Sequence, residues 1–366
     1  MASIAAVLGV LAMLAGSGTS SASTLSASPS AHRTLAKFKA CLVTDTGGIN
    51  DRSFNQLSWM GMQAAVAAEP RRITAVYLPS TTTSDYASNI AAFVRAKCGI
   101  IVTVGFLMAA ATESAAKAHT DRKFAIVDCS YSSSCLTGPR RKNLDQLVFN
   151  TVQDAFLGGY LAAGMSKTYA VATFGGEKFG TVTIYMDGFW DGVRYYNTQH
   201  HTHVKVLGWN EKTQRGRFTG SFTDISAGLK LTNTFVREGA DIIFPVAGGS
   251  GLGAAKAAKA AGAAGESVAV EWPDTDGCFS VVEYCKYFLT SVTKGIAEAV
   301  KTVVLGAASG HFGRTYLGTL ANGGVALAPY HHFVAKIPAE LRAEIIKVTS
   351  QIESGEIIPA TRSPVW

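Results

Sequence analysis

The stretch "KACLVTDTGGINDRSFNQ" (Lys39–Gln56) places an apolar run, a pair of glycines and the start of a helical pattern in direct succession. A run that is apolar throughout, without alternation, is expected for a strand buried on both faces, which means a parallel sheet with helices on either side. The same unit recurs downstream. Apolar runs "ITAVYL" (Ile73–Leu78), "GIIVTV" (Gly99–Val104), "KFAIVD" (Lys123–Asp128) and "DQLVFN" (Asp145–Asn150) alternate with helical spacing over Ser53–Ala68, Ser84–Lys97 and Ala109–His119. Ser53 and Ser84 are within reach of N-cap roles.

From Thr151 the alternation begins again. Helices are expected over Val152–Met165, Gly188–Asn197, Ile225–Glu238 and Leu252–Ala264. Strands are expected at "YAVATF" (Tyr169–Phe174), "HVKVLG" (His203–Gly208), "DIIFPV" (Asp241–Val246) and "SVAVEW" (Ser267–Trp272). The fold class is therefore α/β, with two doubly wound, Rossmann-like lobes. Ligands of open α/β sheets bind beyond the carboxyl ends of the strands, where Asp45–Gln56 and "PVAGGSGLGAA" (Pro245–Ala255) both lie.

Composition narrows the function. Hydrophobic residues are 48% and charged residues 16%, so two cores can be filled. The net charge of +7 is scattered, its densest point being "PRRK" (Pro139–Lys142). A nucleic-acid partner would call for a basic stripe interleaved with aromatics, and no such stripe is present. Ile4–Gly16 is uncharged and of signal-peptide length, which makes 1–22 an export signal and 23–36 a polar tether. "LAGS" (Leu14–Ser17) has the form of a lipoprotein cleavage box with Ser17 where the lipid-bearing cysteine would stand. Six cysteines in an exported chain favour disulfides. Fifteen connectivities are possible. Cys129–Cys135 and Cys278–Cys285 are the favoured local loops, and Cys41–Cys98 joins the starts of two strands placed side by side.

Catalytic and cofactor motifs are weak. "GGSGLG" (Gly248–Gly253) has alternating glycines, one residue short of the dinucleotide fingerprint, and no Walker lysine follows. His200, His201 and His203 are too close together for ordinary metal geometry and read as solvated loop side chains. No serine stands in a nucleophile-elbow context. What remains is a grasping set. Phe54 opens the first helix with its ring toward the crevice, beside Asn55 and the strand-end Asp45. Phe222 in "SFTD" (Ser221–Asp224) holds the corresponding edge of the other lobe. Asp274 and Asp276 in "WPDTDG" and Lys294 after "FLTSV" complete it. Dispersed carboxylates without a paired acid suit holding a polyol better than hydrolysing it.

At these residues the chain resembles the basic membrane protein family of substrate-binding proteins for ABC importers, whose best understood members are purine nucleoside receptors. The resemblance rests on "VTDTGGINDRSFNQ", "AFLGGYLAAGMSKT" (Ala155–Thr168), "VTIYMDGFWDGVRYYN" (Val182–Asn197), "GADIIFPVAGGSGLGAA" (Gly239–Ala255) and "PDTDG", and covers nearly all of Ala40–Trp366. It implies a type I periplasmic-binding-protein fold with three crossings between lobes: 37–150 and 276–312 in the first lobe, 151–275 and 313–366 in the second. It makes Phe54 and Phe222 the rings that sandwich a nucleobase, with Asp45, Asn55, Gly248, Asp274 and Lys294 around base edge and ribose. One position departs: Ala110 stands where the family carries a base-reading aspartate, and an alanine accepts no N–H. Purine selectivity does not carry over, and Glu113, one turn on, is a poor substitute.

The resulting expectation is a monomeric, exported, surface-associated receptor, without cofactor, metal or catalysis. Its lobes close by a hinge on a nucleoside-like ligand, which passes to an ABC permease. A sensing receptor of the same fold and a nucleoside-processing enzyme are the alternatives.

Overall fold

A computed structural model describes residues 36–132 and 135–365. The expected export signal, and the tether up to its last residue, lie outside them. In chain order the elements of the first half are β1 (Phe38–Val43), α1 (Phe54–Ala68), β2 (Ile73–Leu78), α2 (Asp85–Arg95), β3 (Ile100–Val104), α3 (Ala109–Ala118), β4 (Phe124–Val127), β5 (Leu144–Phe149) and α4 (Thr151–Met165). The chain continues through β6 (Ala170–Gly175), α5 (Gly180–His200), β7 (Lys205–Leu207), β8 (Trp209–Asn210), β9 (Arg215–Gly216), α6 (Ile225–Arg237), β10 (Ile242–Val246), α7 (Leu252–Ala263), β11 (Ala269–Asp274) and α8 (Gly277–Ser280). Last come β12 (Phe288–Lys294), α9 (Ile296–Ser309), β13 (Tyr316–Gly318), β14 (Val325–Leu327) and α10 (Ala339–Glu353).

Two six-stranded sheets result. The first runs β2-β1-β3-β4-β5-β13, all parallel; the second runs β7-β6-β10-β11-β12-β14, parallel except for β14. In both, strand order reverses between the first strand of the unit and the third, at β1/β3 and at β6/β10. Those reversals open the crevices where loops can hold a ligand. Every residue of β3, β5, β6 and β10 is buried, as continuous apolar runs covered on two faces should be.

The chain changes lobe between β5 and α4, between β12 and α9, and between β13 and β14. This corrects the expected boundaries. Phe288–Lys294, assigned to the first lobe, is a strand of the second sheet, paired with β11; Tyr316–Gly318, assigned to the second, pairs with β5 of the first. Without β12, the apolar β11 would be an edge strand with unpaired amides. Only α9 and β13 return to the first lobe, where α9 packs on α1.

Two local expectations also change. The helix expected from Gly188 begins at Gly180, because packing against α4 overrides the low helix propensity of Val182, Thr183 and Ile184. Neither Ser53 nor Ser84 caps its helix through its side chain. Asp51 accepts from the amides of Ser53, Asn55 and Gln56 at the start of α1. The favoured disulfides, Cys41–Cys98, Cys129–Cys135 and Cys278–Cys285, are all formed. Among the described residues no helix is long and apolar enough to cross a membrane.

Helix α4 has twelve of its fifteen residues buried, so it can touch its neighbours only at backbone distance. A Cβ built on Gly159 would lie 2.0 Å from the carbonyl oxygen of Phe189, and one on Gly192 would lie 2.0 Å from that of Phe156. The glycines are what allow α4 and α5 to meet. Gly159→Ala should lower stability by ~1–3 kcal/mol, the usual cost of overpacking, read as a fall in Tm by calorimetry. Gly180→Ala, whose new methyl would have no neighbour nearer than 3.7 Å, should leave Tm unchanged.

Candidate functional site

The carboxyl ends of both sheets face a cavity of about 620 Å³ between the lobes, part of it open to solvent. Seven of the eight residues singled out in the sequence line it: Asp45, Phe54, Asn55, Phe222, Gly248, Asp274 and Lys294. Asp276 does not; its carboxylate pairs with His331 at 2.7 Å and caps α8 through the amide of Cys278.

The first lobe supplies a preorganised polar corner. Asp45 Oδ1 accepts from the Gly47 amide at 2.8 Å and from Asn55 Nδ2 at 2.7 Å. Asn55 Oδ1 in turn accepts from the Asp45 amide at 3.1 Å. These bonds fix both side chains before any ligand arrives. Burial pushes the Asp45 carboxyl up to about 6, the Asn55 and Gly47 hydrogen bonds offsetting only part of the shift. Phe54, beside this corner, is half-buried and on the cavity wall.

The second lobe presents Phe222 from the loop before α6. Its ring lies against the backbone of Gly176, where a Cβ would come within 2.4 Å, and its carbonyl accepts from the Ser250 amide. Gly248 starts the turn between β10 and α7 at φ +52°, a conformation that favours glycine.

Between these walls sits the charged end. Lys294, the last residue of β12, is buried and bonded to Asp128 at the end of β4, with Asp274 Oδ1 at 3.4 Å. Asp274 also accepts from Tyr185 Oη at 3.0 Å and from Ser53 Oγ at 2.8 Å. Lys294 Nζ lies 5.4 Å from the centre of the Phe54 ring and 4.9 Å from that of Tyr185. Burial pushes the lysine down, but Asp128 and Asp274 outweigh it and the net shift is upward, so the ammonium stays charged.

Sequence reasoning missed Asp128, Tyr185 and Phe106. Asp128 ends an apolar run, as Asp45 nearly does, and the strand-end rule could have found it. Phe106 follows β3 in the same way, but attention had fallen on Ala110, which is exposed and lies off the cavity lining. Glu113 is also elsewhere, accepting from the amides of Thr137 and Gly138. Tyr185 belongs to the part of α5 that the sequence did not read as helix. His200, expected as a solvated loop residue, ends α5, stacks on Tyr196 with ring centres 4.2 Å apart and pairs with Glu344. Asp276, Cys278 and His331 cluster within 4.8 Å, but Cys278 is held in a disulfide and offers no thiolate to a metal.

Two α/β lobes with a cavity between their facing strand ends define the type I periplasmic-binding-protein fold. Solved structures share this fold. A solute-binding protein of an ABC transporter system from Aeropyrum pernix K1 superposes with a TM-score of 0.78 at 21% identity, over 89% of this chain and 94% of that one. A transcriptional activator of the comK gene from Bacillus halodurans superposes with a TM-score of 0.68 at 19% identity, over 88% and 100%. Residues 38–361 match the Bmp family, described as ABC transporter substrate-binding protein PnrA-like, and the chain belongs to that family. It is 26% identical over 332 residues to the ABC transporter nucleoside-binding protein BmpA of Lactococcus lactis subsp. cremoris, covering 87% of this chain and 88% of that protein. It is 27% identical to basic membrane protein A of Borreliella afzelii, over 87% and 90%.

Replacing Lys294 by methionine would leave Asp128 and Asp274 without their cation. The Asp128 carboxyl, already pushed up by burial, would rise further, so the native state would hold more protons than the unfolded state. Stability then falls as pH rises. Lys294→Met should lower Tm at every pH, and the gap to the wild type should widen from pH 5 to pH 8 in a calorimetric series.

Proposed function

We propose that this chain is an exported, monomeric receptor that closes its two lobes on a nucleoside-like ligand and delivers it to the permease of an ABC importer. The observation that carries the reading is the division of one cavity between lobes. Phe54 belongs to the first and Phe222 to the second, while Asp128, Asp274 and Lys294 gather at the end nearer the crossings. A planar ring held between two benzyl groups needs both lobes in place, so binding and closure become one event. The lobes also meet directly: Arg52 pairs with Glu283 at 2.7 Å and Ser53 donates to Asp274. The nucleoside-binding relative supports the ligand class.

The chemistry suits the residue types. Base stacking on an aromatic side chain is worth about 1–3 kcal/mol. Carboxylates accepting from ribose hydroxyls add directed, charge-assisted bonds and reject bases without the sugar. Phe54→Ala and Phe222→Ala should each weaken nucleoside binding at least tenfold with Tm little changed; calorimetry showing native affinity in both would sink the sandwich. The ligand should be recovered chemically unchanged after prolonged incubation, in keeping with a family of solute-binding proteins.

Asp45 supplies a pH test. Above about 6 its carboxylate accepts from ligand donors; below, the protonated acid has lost much of that capacity. Affinity should therefore drop as pH falls from 7.5 to 5, and Asp45→Asn should bind weakly with a flat profile over the same range. A wild-type profile equally flat would remove Asp45 from the contact set.

A further inference from the structure

The ligand cavity has a neighbour. A second cavity of about 1080 Å³, part of it open to solvent, lies on the other side of Phe106 and Phe179. Phe106 follows β3 of the first lobe and Phe179 precedes α5 of the second; their ring centres are 4.3 Å apart. Phe106 also stands edge-on to Phe222, at 6.0 Å. Phe106 and Thr181 line both spaces. Phe106, backed by Phe179 of the other lobe, thus forms a thin aromatic wall between the two rooms.

The rooms differ in charge. The first has four carboxylates on its lining, Asp45, Asp51, Asp128 and Asp274, against one lysine. Among its described lining residues the second has no carboxylate side chain; it has Arg362, an exposed guanidinium whose Nε lies 3.5 Å from Glu211 Oε1. The Thr181 hydroxyl oxygen is buried and has no hydrogen-bond partner, an uncommon state for a polar atom. Gly180 adds no side chain of its own, so the volume is kept open beside it.

The orientation of a ligand follows from the first room. Phe54 is near both polar groups of the room: Lys294 Nζ lies 5.4 Å from its ring centre, and a Cβ on Gly105 would be 3.1 Å from Asp45 Oδ2 and 3.3 Å from Phe54 Cε1. Hydroxyl groups belong at the lysine end, with Asp274. The far edge of the stacked ring then points past Asp45 toward Phe106, where no side chain reads it from position 110.

We infer that the second cavity is a chamber of the same binding site, and that it takes an acceptor-bearing substituent carried on that far ring edge, with Phe106 setting how large a substituent is admitted. The inference rests on the nucleoside reading above. Because the wall is a ring of one lobe backed by a ring of the other, a substituent enters while the lobes are apart and displaces the Phe106–Phe179 contact as they close. Thr181 donates to it, and Arg362, held by Glu211 through Nε, offers its remaining N–H donors to an anionic group. The receptor is then one for ring-substituted nucleosides as well as plain ones.

The test is titration calorimetry on the full chain with adenosine, N6-benzyladenosine and N6-succinyladenosine. Wild type should bind N6-succinyladenosine within tenfold of adenosine and more tightly than the benzyl compound. Gly180→Leu, which fills the second chamber and leaves the first cavity's lining intact, should weaken N6-succinyladenosine at least tenfold and adenosine less than twofold. Phe106→Ala should raise the ratio of N6-succinyladenosine to adenosine affinity at least fivefold. If adenosine binds but both substituted nucleosides bind more than a hundredfold more weakly in wild type and Phe106→Ala alike, the chamber is no part of the site and the nucleoside reading stands. Equal losses for all three ligands in Gly180→Leu, with Tm preserved, overturn the inference too. If none of the three binds, the cavity does not take a purine nucleoside and this inference is overturned, while the broader nucleoside-like reading is left to other bases.

Discussion

One buried ammonium organises the cleft. Lys294 ends the last parallel strand of the second sheet, directly before the chain crosses to the first lobe, and its charge is satisfied from both sides, by Asp128 of the first lobe and Asp274 of the second. Leaving one partner of such a pair buried and alone typically costs about 3–5 kcal/mol. The three residues must therefore stay together, and with them the ends of β4, β11 and β12. Ser53 and Tyr185 join the same group through Asp274, so the start of α1 and the middle of α5 are tied to it. The group that fixes how the lobes meet is also the polar end of the cavity.

Around that point the two lobes play equivalent parts. Each places its loops at a strand-order reversal, and each offers phenyl rings to the space between, Phe54 and Phe106 from the first and Phe222 from the second. The symmetry is broken by the chemistry of the loops. The first lobe brings an aspartate and asparagine locked to each other; the second brings backbone turns, with Gly248 held in a left-handed conformation. The ligand proposed above, with a flat face and a hydroxylated side, matches this division. Position 110 contributes nothing to the lining, so the ring edge is bounded by Phe106 and what lies behind it.

Most of the architecture was legible in the chain. Apolar runs without alternation could only be doubly covered strands, and their spacing by helical segments required parallel sheets. Seven of the residues that line the cavity were found from strand ends, helix starts and a family resemblance; the Cys41–Cys98 bridge came from two strands placed side by side, and the other two bridges from short sequence separation. The lobe boundaries were less accessible. Phe288–Lys294 and Tyr316–Gly318 are plain strand-like segments, and nothing in them says which sheet they join; that depends on which edge is left unpaired once the other strands have assembled.

What the sequence by itself determined was local: element types, their order, the strand-end aspartates and the aromatic at the first helix start, all set by side-chain periodicity and turn chemistry within a few residues. The tertiary structure alone decided which distant groups meet. It placed Asp128 on Lys294 and Tyr185 on Asp274, moved the cap of α1 to Asp51, and stood Phe106 against Phe179. Burial decides these pairings, because a charge or a polar edge taken out of water must find its partner wherever the fold brings one, at any distance along the chain.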